Sequence, residues 1–183
     1  GGLDVLGSNK VDNMYHAGWA WAGSTPFQAT KLVASHFGGT RTPMAVSWPK
    51  SIPPDAATRT QFHHVNDIVP TIYDVVGIQA PNMVDGVSQE PLDGMSMRYT
   101  FADAKAPEQK KAQYFEIMGS RAIYQDGWIA SVFGPRTPWV AGMPKSIATW
   151  SPDTDAWELY DLGSDFSQAK NLASVQTAKV DEM

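Results

Sequence analysis

The chain has 183 residues and no cysteine. That excludes a disulfide framework, a zinc–thiolate site and a cysteine nucleophile among these residues. Positive charge is also scarce, with 14 Lys and Arg against 19 Asp and Glu and a net charge of -5. Neutralising phosphates needs a basic face, so nucleic acid is not expected as the main partner. No apolar run approaches the ~18 residues of a membrane-spanning helix, and no membrane partner is expected. The strings G-x-S-x-G, G-x-G-x-x-G and H-E-x-x-H are missing, as is a P-loop. What is present is 15 Gly, 13 Pro, seven Trp and seven Phe. Gly and Pro at that level indicate many turns, and the aromatics argue against disorder.

The local patterns divide the chain near residues 100–112. Before that break, residues 1–30 read as irregular, with Trp19 and Trp21 alternating with small residues. A short helix is expected from Gln28 to His36, closed by Gly38-Gly39. The run Met44-Ala45-Val46, stopped by Pro49, reads as a short buried strand, and Gln61–Val65 as another. The clearest helix signal follows: Val65, Ile68, Val69, Ile72, Val75 and Val76 keep helical spacing. Pro70 suits a first turn, so this helix is expected to start near Asn66 or Asp67 and to end at Gly77. Residues 79–112 read as loop, with a helical turn possible at Glu108–Ala112.

After the break, four short runs rich in aromatic and β-branched residues predict an antiparallel sheet: QYFEIMG, RAIYQ, WIASVF and AWELYDL. Asp126-Gly127 between the second and third is a two-residue hairpin signal. A C-terminal helix is expected after Ser164 or Asp165 as N-cap. The expected division is therefore 1–105, the tail end of an α/β domain, and 106–183, an antiparallel-sheet subdomain.

Candidate chemistry is sparse. His63 and His64 are adjacent, so on a strand they would face opposite ways and could not easily share one metal. Asp12-Asn13 and Asn66-Asp67 are isolated pairs, better read as turns or caps than as a cation site. Trp19 and Trp21 read either as indoles packing on a core or as an aromatic wall beside a ligand. The densest polar stretch runs from Lys31 to Arg41, KLVASHFGGTR. Lys and Arg suit sulfate or phosphate oxygens, and two glycines let backbone approach a ligand or simply close a helix. Spacing alone leaves both readings open.

This stretch, extended to KLVASHFGGTRTPMAVSWP, resembles type I sulfatases: a lysine precedes a Gly-Gly-x-Arg-x-Pro turn and a strand ending in Trp-Pro. FHHVNDIVPTIYDVVGI resembles the family's next strand and its Asp-x-x-Pro-Thr helix. QYFEIMGSRAIYQDGWIASV and WELYDLGSDFSQAKNLA resemble its C-terminal lobe, and AGWAWAGSTPFQATK fits the arylsulfatase branch. The order of motifs spans most of the chain, from Gly18 to Ala173.

The resemblance implies an α/β protein, the C-terminal part of an alkaline phosphatase-like (sulfatase) fold that ends in a four-stranded antiparallel sheet with a C-terminal helix. It implies an arylsulfatase, a sulfuric ester hydrolase whose formylglycine nucleophile derives from a Cys/Ser-x-Pro-x-Arg motif and whose calcium ion is held by aspartates and an asparagine. Neither set is expected in this chain. Ser24-Thr25-Pro26-Phe27-Gln28 has Gln where Arg is required, and Asp12-Asn13-Met14 is a poor match to the metal motif. The chain is thus expected to be a piece of a longer enzyme, with no metal ligands of its own and no activity by itself. Lys31 is implied as the sulfate-oxygen contact, seven residues before Gly38, one more than is common in the family. His36 is implied as a second contact, Trp19 and Trp21 as the substrate side, and Arg41 as structural.

Two other readings share the residues. One is a phosphatase or phosphonate hydrolase of the same superfamily. The other is a stand-alone carbohydrate-binding module presenting Trp128, Trp139 or Trp150. Besides a sulfate ester substrate, the expected partner is a second copy of the chain, through apolar surface that a missing half would leave bare.

Overall fold

The structure, a computed structural model, describes residues 2–12, 14–55, 57–135 and 145–183. Its helices are α1 (Ala17–Ser24), α2 (Phe37–Thr40), α3 (Ile68–Val76) and α4 (Thr177–Glu182). Its strands are β1 (Met83–Val84), β2 (Val87–Ser88), β3 (Ala112–Ile117), β4 (Ser120–Gln125), β5 (Trp128–Val132) and β6 (Glu158–Asp161). Strands β1 and β2 form a two-stranded hairpin, and β3 to β6 form a four-stranded sheet in chain order.

The residues pack as two units, one comprising Gly1–Thr42, Tyr114–Tyr124 and Trp128–Met183, the other Pro43–Gln113 and Gln125–Gly127. The first 42 residues thus pack with the body of the sheet.

Two tight turns drive the meander of the sheet. Met118 and Gly119 join β3 to β4 at φ 53° and 86°. Asp126 and Gly127 join β4 to β5 at φ 45° and 83°, the left-handed pair that the Asp-Gly dipeptide predicts. Strands β5 and β6 pair antiparallel, Ile129 opposite Tyr160 and Ala130 opposite Leu159. Along β4 buried and half-buried residues alternate, whereas Ile129 to Val132 of β5 are all buried, so β5 is covered on both faces. Phe37, Ala122, Ile129 and Tyr160 form the core, with Phe27, Phe115 and Leu162 against it. Ile129 and Leu159 are fully enclosed, and each contributes about 1.5–3 kcal/mol by leaving water. The sheet is as the four sequence runs predict.

The other unit is built around α3. A turn of 3-10 helix, Val65–Asp67, leads into it. The Asp67 carboxylate accepts the His64 backbone N–H at 2.8 Å, and the His64 ring accepts the Asn66 N–H at 3.4 Å, a reciprocal cap. Pro70 lies in the first turn, where its missing N–H costs nothing. Gly77 ends the helix at φ 71° and donates to the last-turn carbonyls. Val69, Ile72 and Val76 stand about half exposed along one side. The flanking loops are tied down by side chains on backbone: Gln61 donates to the carbonyls of Ala104 and Ala106, and Glu108 accepts the Phe62 N–H.

Several expected elements do not form. Residues 1–30 are not wholly irregular, since α1 occupies Ala17–Ser24. Gln28–His36 is not helical, because Ala29 and Leu32 take left-handed φ of 66° and 73° that interrupt a right-handed helix. Met44–Trp48 is an extended loop and not a buried strand, with Met44 and Val46 about half exposed. Gln61–Val65 is likewise not a strand, so the opposite-faces argument for His63 and His64 does not apply. Glu108–Lys111 forms no helical turn. Asp85-Gly86 turns a small hairpin within the stretch read as loop. At the C-terminus, neither Ser164 nor Asp165 caps a helix; the Asp165 carboxylate accepts the N–H groups of Ala169 and Lys170 at 3.0 and 2.7 Å in a turn. The chain then turns at Gln168, φ 59°, and helix begins only at Thr177.

Candidate functional site

The polar stretch from Gln28 to His36 is an irregular loop that leads into α2, and its backbone groups are satisfied by side chains from β4 and from the segment after β6. Gln168 is fully buried; its Oε1 accepts the Phe37 N–H at 2.8 Å and its Nε2 donates to the Ser35 carbonyl at 3.1 Å. Its own carbonyl accepts from Gln28 Nε2 at 2.6 Å. Ser120, the first residue of β4, accepts the N–H groups of Ala34 and Ser35 at 3.0 and 3.1 Å. These bonds replace the helical ladder that the sequence suggests for this segment.

Glycine is required at the end of this loop. A Cβ on Gly38 would overlap the carbonyls of Ala29 and Gln28, and one on Gly39 would overlap that of Val33. Gly38 donates its N–H to the Gln28 carbonyl at 2.9 Å, which closes the loop on itself. The Gly pair is therefore a close-approach device. The Arg41 guanidinium lies over the rings of Phe27 and Phe37, 5.0 and 5.7 Å from their centroids. The guanidinium thus stacks on two aromatics.

Within this frame Lys31 sits exposed in the turn between Ala29 and Leu32. The loop thus turns outward at Lys31 while its flanks, Thr30 and Val33 to Phe37, are buried. His36 is only 7% exposed. Its Nδ1 is 2.8 Å from Ser35 Oγ and its Nε2 is 3.3 Å from Glu158 Oε2 on β6. Both ring nitrogens are thus engaged inside the unit. The Glu158 carboxyl is held below its ordinary range by the His36 ring, against the opposing effect of burial, with Tyr160 OH donating at 3.1 Å. Tyr160 is pushed well above its ordinary value by burial and by the neighbouring Glu158 charge. Trp19 and Trp21 lie on α1, 68% and 53% exposed. Two residues apart, they project about 200° from each other around the helix. The structure thus places Lys31 and His36 on one loop, the first exposed and the second buried.

The remaining sequence candidates are structural in their contacts. The Trp150 indole N–H donates to Asp155 at 2.8 Å, and the Arg121 guanidinium lies over Trp150 and Trp157. Trp128 is half-buried and opens β5 opposite Asp161. Trp139 lies outside the described residues. Asp12 accepts the Met14 N–H at 3.3 Å in a turn, and Asn13 lies outside the described residues.

Among the described residues, no three His, Asp or Glu side chains converge as a metal site. The nearest clusters are already compensated. Asp67 is paired with Lys110, and Glu158 with His36 and Tyr160. These residues do not fit a calcium ion. Gln168, Ser120 and Glu158 escape sequence reasoning because their importance lies in what they reach across 85 to 140 positions of chain. The only signal was that Gln168 and Glu158 fall within the resembling stretch WELYDLGSDFSQAKNLA.

Solved structures share this fold. A 6S-sulf protein from the glycosaminoglycan metabolism of Bacteroides thetaiotaomicron aligns with TM-score 0.59 at 20% identity, over 81% of this chain and 28% of its own. A structure described as Ps i-CgsB aligns with TM-score 0.57 at 21% identity, over 87% of this chain and 30% of its own. The fold is that of the C-terminal portion of a sulfatase. By sequence, residues 35–182 match the family described as N-sulphoglucosamine sulphohydrolase, C-terminal, and the chain belongs to that family. An uncharacterized sulfatase of Schizosaccharomyces pombe is 28% identical over 99% of this chain. The chain spans 30% of that relative's length.

Proposed function

We propose that these residues serve a sulfuric ester hydrolase of the arylsulfatase type, in which Lys31 binds a sulfate oxygen. The observation that supports this is the loop itself. It presents an exposed lysine from a side-chain-clamped segment in which Ala29, Thr30 and Val33 to Phe37 are buried. A lysine offers a compact point charge that neutralises sulfate oxygens as negative charge shifts onto the leaving oxygen. On this reading the formylglycine nucleophile and the calcium ion belong to residues outside these 183. There, formylglycine would supply an attacking oxygen and calcium would supply Lewis acidity. His36, with both ring nitrogens engaged, serves from beneath the loop, while Trp19 and Trp21 border the substrate side.

A sulfated amino sugar is the second substrate class, favoured by membership of the N-sulphoglucosamine sulphohydrolase family. A phosphatase reading has no comparable support.

The test is substitution of Lys31 by Ala in the full sulfatase polypeptide that carries these residues. kcat/KM is expected to fall about 100-fold or more, as when one charge-stabilising donor is removed from an acyl-transfer site. Assaying 4-nitrophenyl sulfate beside glucosamine 6-sulfate separates the two substrate classes. Unchanged kcat/KM on both would overturn the assignment. The 183-residue chain alone is expected to turn over neither ester, since it has no cysteine and no Ser-x-Pro-x-Arg string. Measurable turnover by that chain would contradict this.

A further inference from the structure

We propose that Gln168 is a positioning residue that fixes the direction of Lys31; this rests on the reading of Lys31 as a sulfate contact. Three bonds converge from this one residue on the loop that carries the lysine. Its Oε1 takes the Phe37 N–H at 2.8 Å, its Nε2 gives to the Ser35 carbonyl at 3.1 Å, and its carbonyl takes Gln28 Nε2 at 2.6 Å. The contacts grip the loop on both sides of Lys31, at Gln28 before it and at Ser35 and Phe37 after it. Gln168, Ser35 and Phe37 are all buried, so water offers no substitute for the two side-chain bonds.

The loop needs such a clamp because its local preferences oppose its shape. Ala29 and Leu32, two residues before Lys31 and one after it, hold left-handed φ of 66° and 73°. Neither side chain favours that region, and such strain persists only where the surroundings over-determine it. Lys31 lies between the two strained residues, so relaxation of either turns the ammonium elsewhere. Gln168 itself is held at φ 59° at the turn that Asp165 closes, donating its own N–H to the Asp165 carbonyl at 3.3 Å. The amide is thus anchored from its own side before it reaches the loop. Chemically the site requires an amide. A carboxylate at 168 would keep the acceptor for Phe37 but set a negative oxygen against the Ser35 carbonyl, and a hydrocarbon would leave both loop groups unpaired. Ser120 supports the same loop by taking the Ala34 and Ser35 N–H groups.

The experiment measures competitive inhibition by inorganic sulfate, together with kcat and KM, in the full sulfatase. The variants are Gln168→Glu, Lys31→Ala and the double variant. Gln168→Glu is expected to weaken sulfate inhibition about 10- to 100-fold, the cost of a misplaced binding group. The double variant is expected to be no weaker than Lys31→Ala alone, because a positioning residue has nothing left to position. A role confined to folding would give additive losses. Ser120→Ala, which removes one hydroxyl, is the second probe should Gln168→Glu fail to fold, and it is expected to show the same non-additivity with Lys31→Ala. Sulfate inhibition weakened by Lys31→Ala but not by either clamp variant, or additive losses, would overturn the positioning role alone. Inhibition untouched by Lys31→Ala would overturn the sulfate assignment and the positioning role with it.

Discussion

Lys110 Nζ lies 2.8 Å from Asp67 Oδ1, and both side chains are out of water, 6% and 0% exposed. The carboxylate is otherwise satisfied by the backbone N–H groups of His64 and Met95, at 2.8 and 2.9 Å. One side chain thus closes the capping box of the 3-10 turn that leads into α3, receives the Met95 segment and holds a buried cation. Burial alone would raise the Asp67 pKa, but Lys110 and the two N–H groups outweigh it, and the carboxyl stays below its ordinary range. Removing one partner of such a pair strands the other, so Lys110→Met is expected to cost about 3 kcal/mol or more. Urea denaturation of the chain would measure it. Adding Asp67→Asn to Lys110→Met is expected to recover part of the loss, since a neutral amide needs no counter-charge.

The acid limb of stability is expected to begin with His63. Its ring is largely enclosed, with Nδ1 3.6 Å from Asp67 Oδ2 and the Tyr99 ring 5.7 Å away. Burial lowers its pKa; Asp67 and Glu108 push the other way, and Lys110 adds to the lowering. A histidine depressed on folding takes its proton more readily when unfolded. The neutral ring's stability is therefore fully present above its unfolded pKa of 6.5 and is lost as pH falls through that value towards the folded one. His63→Leu is expected to flatten the fall in urea midpoint between about pH 7 and pH 5. A midpoint that falls equally in both proteins would point to another group.

Two glycines make opposite predictions. Gly38→Ala forces a Cβ into the Ala29 and Gln28 carbonyls, so backbone must move. The cost is expected to reach about 3 kcal/mol, the upper end for overpacking, because backbone yields less than side chains. Gly23, inside α1, has nothing within 4 Å of where a Cβ would stand and no left-handed φ. Gly23→Ala is expected to raise stability by about 0.5–1 kcal/mol through the less flexible unfolded chain. Thermal unfolding of the two variants beside the parent checks both signs.

Legibility followed the range of the forces. The sheet was readable because each run carries its own alternation and Asp126-Gly127 specifies its turn locally. Helix α3 was readable for the same reason, down to Pro70 and Gly77. The Lys31 loop was misread because its composition favours helix, while the decision lies with Gln168 and Ser120, far along the chain. Met44–Trp48 has the composition of a strand, but strands form only where a ladder partner accepts them, and composition cannot report one. For the candidate site, the resemblance drew attention to Lys31, but no local pattern announces the buried amide beneath it. The buried pair of Asp67 with Lys110 and the half-buried pair of Glu158 with His36 were invisible for the same reason.

The Glu158 carboxylate joins β6 to the loop through His36, and it is the group by which acid is expected to loosen that junction. The His36 ring, countering burial and aided by the Tyr160 hydroxyl, keeps Glu158 below its usual 4.5. A depressed carboxyl contributes stability that is present above its unfolded pKa and lost as pH falls through the folded one. Glu158→Gln is therefore expected to be less stable than the parent near neutral pH and to converge with it in acid. The side chain keeps about a third of its surface in water, so the neutral-pH difference is expected to be no more than about 1–2 kcal/mol. Urea midpoints at about pH 7 and about pH 3.5 would decide it. A gap that persists unchanged in acid would mean that shape, and not charge, is what Glu158 supplies at the loop.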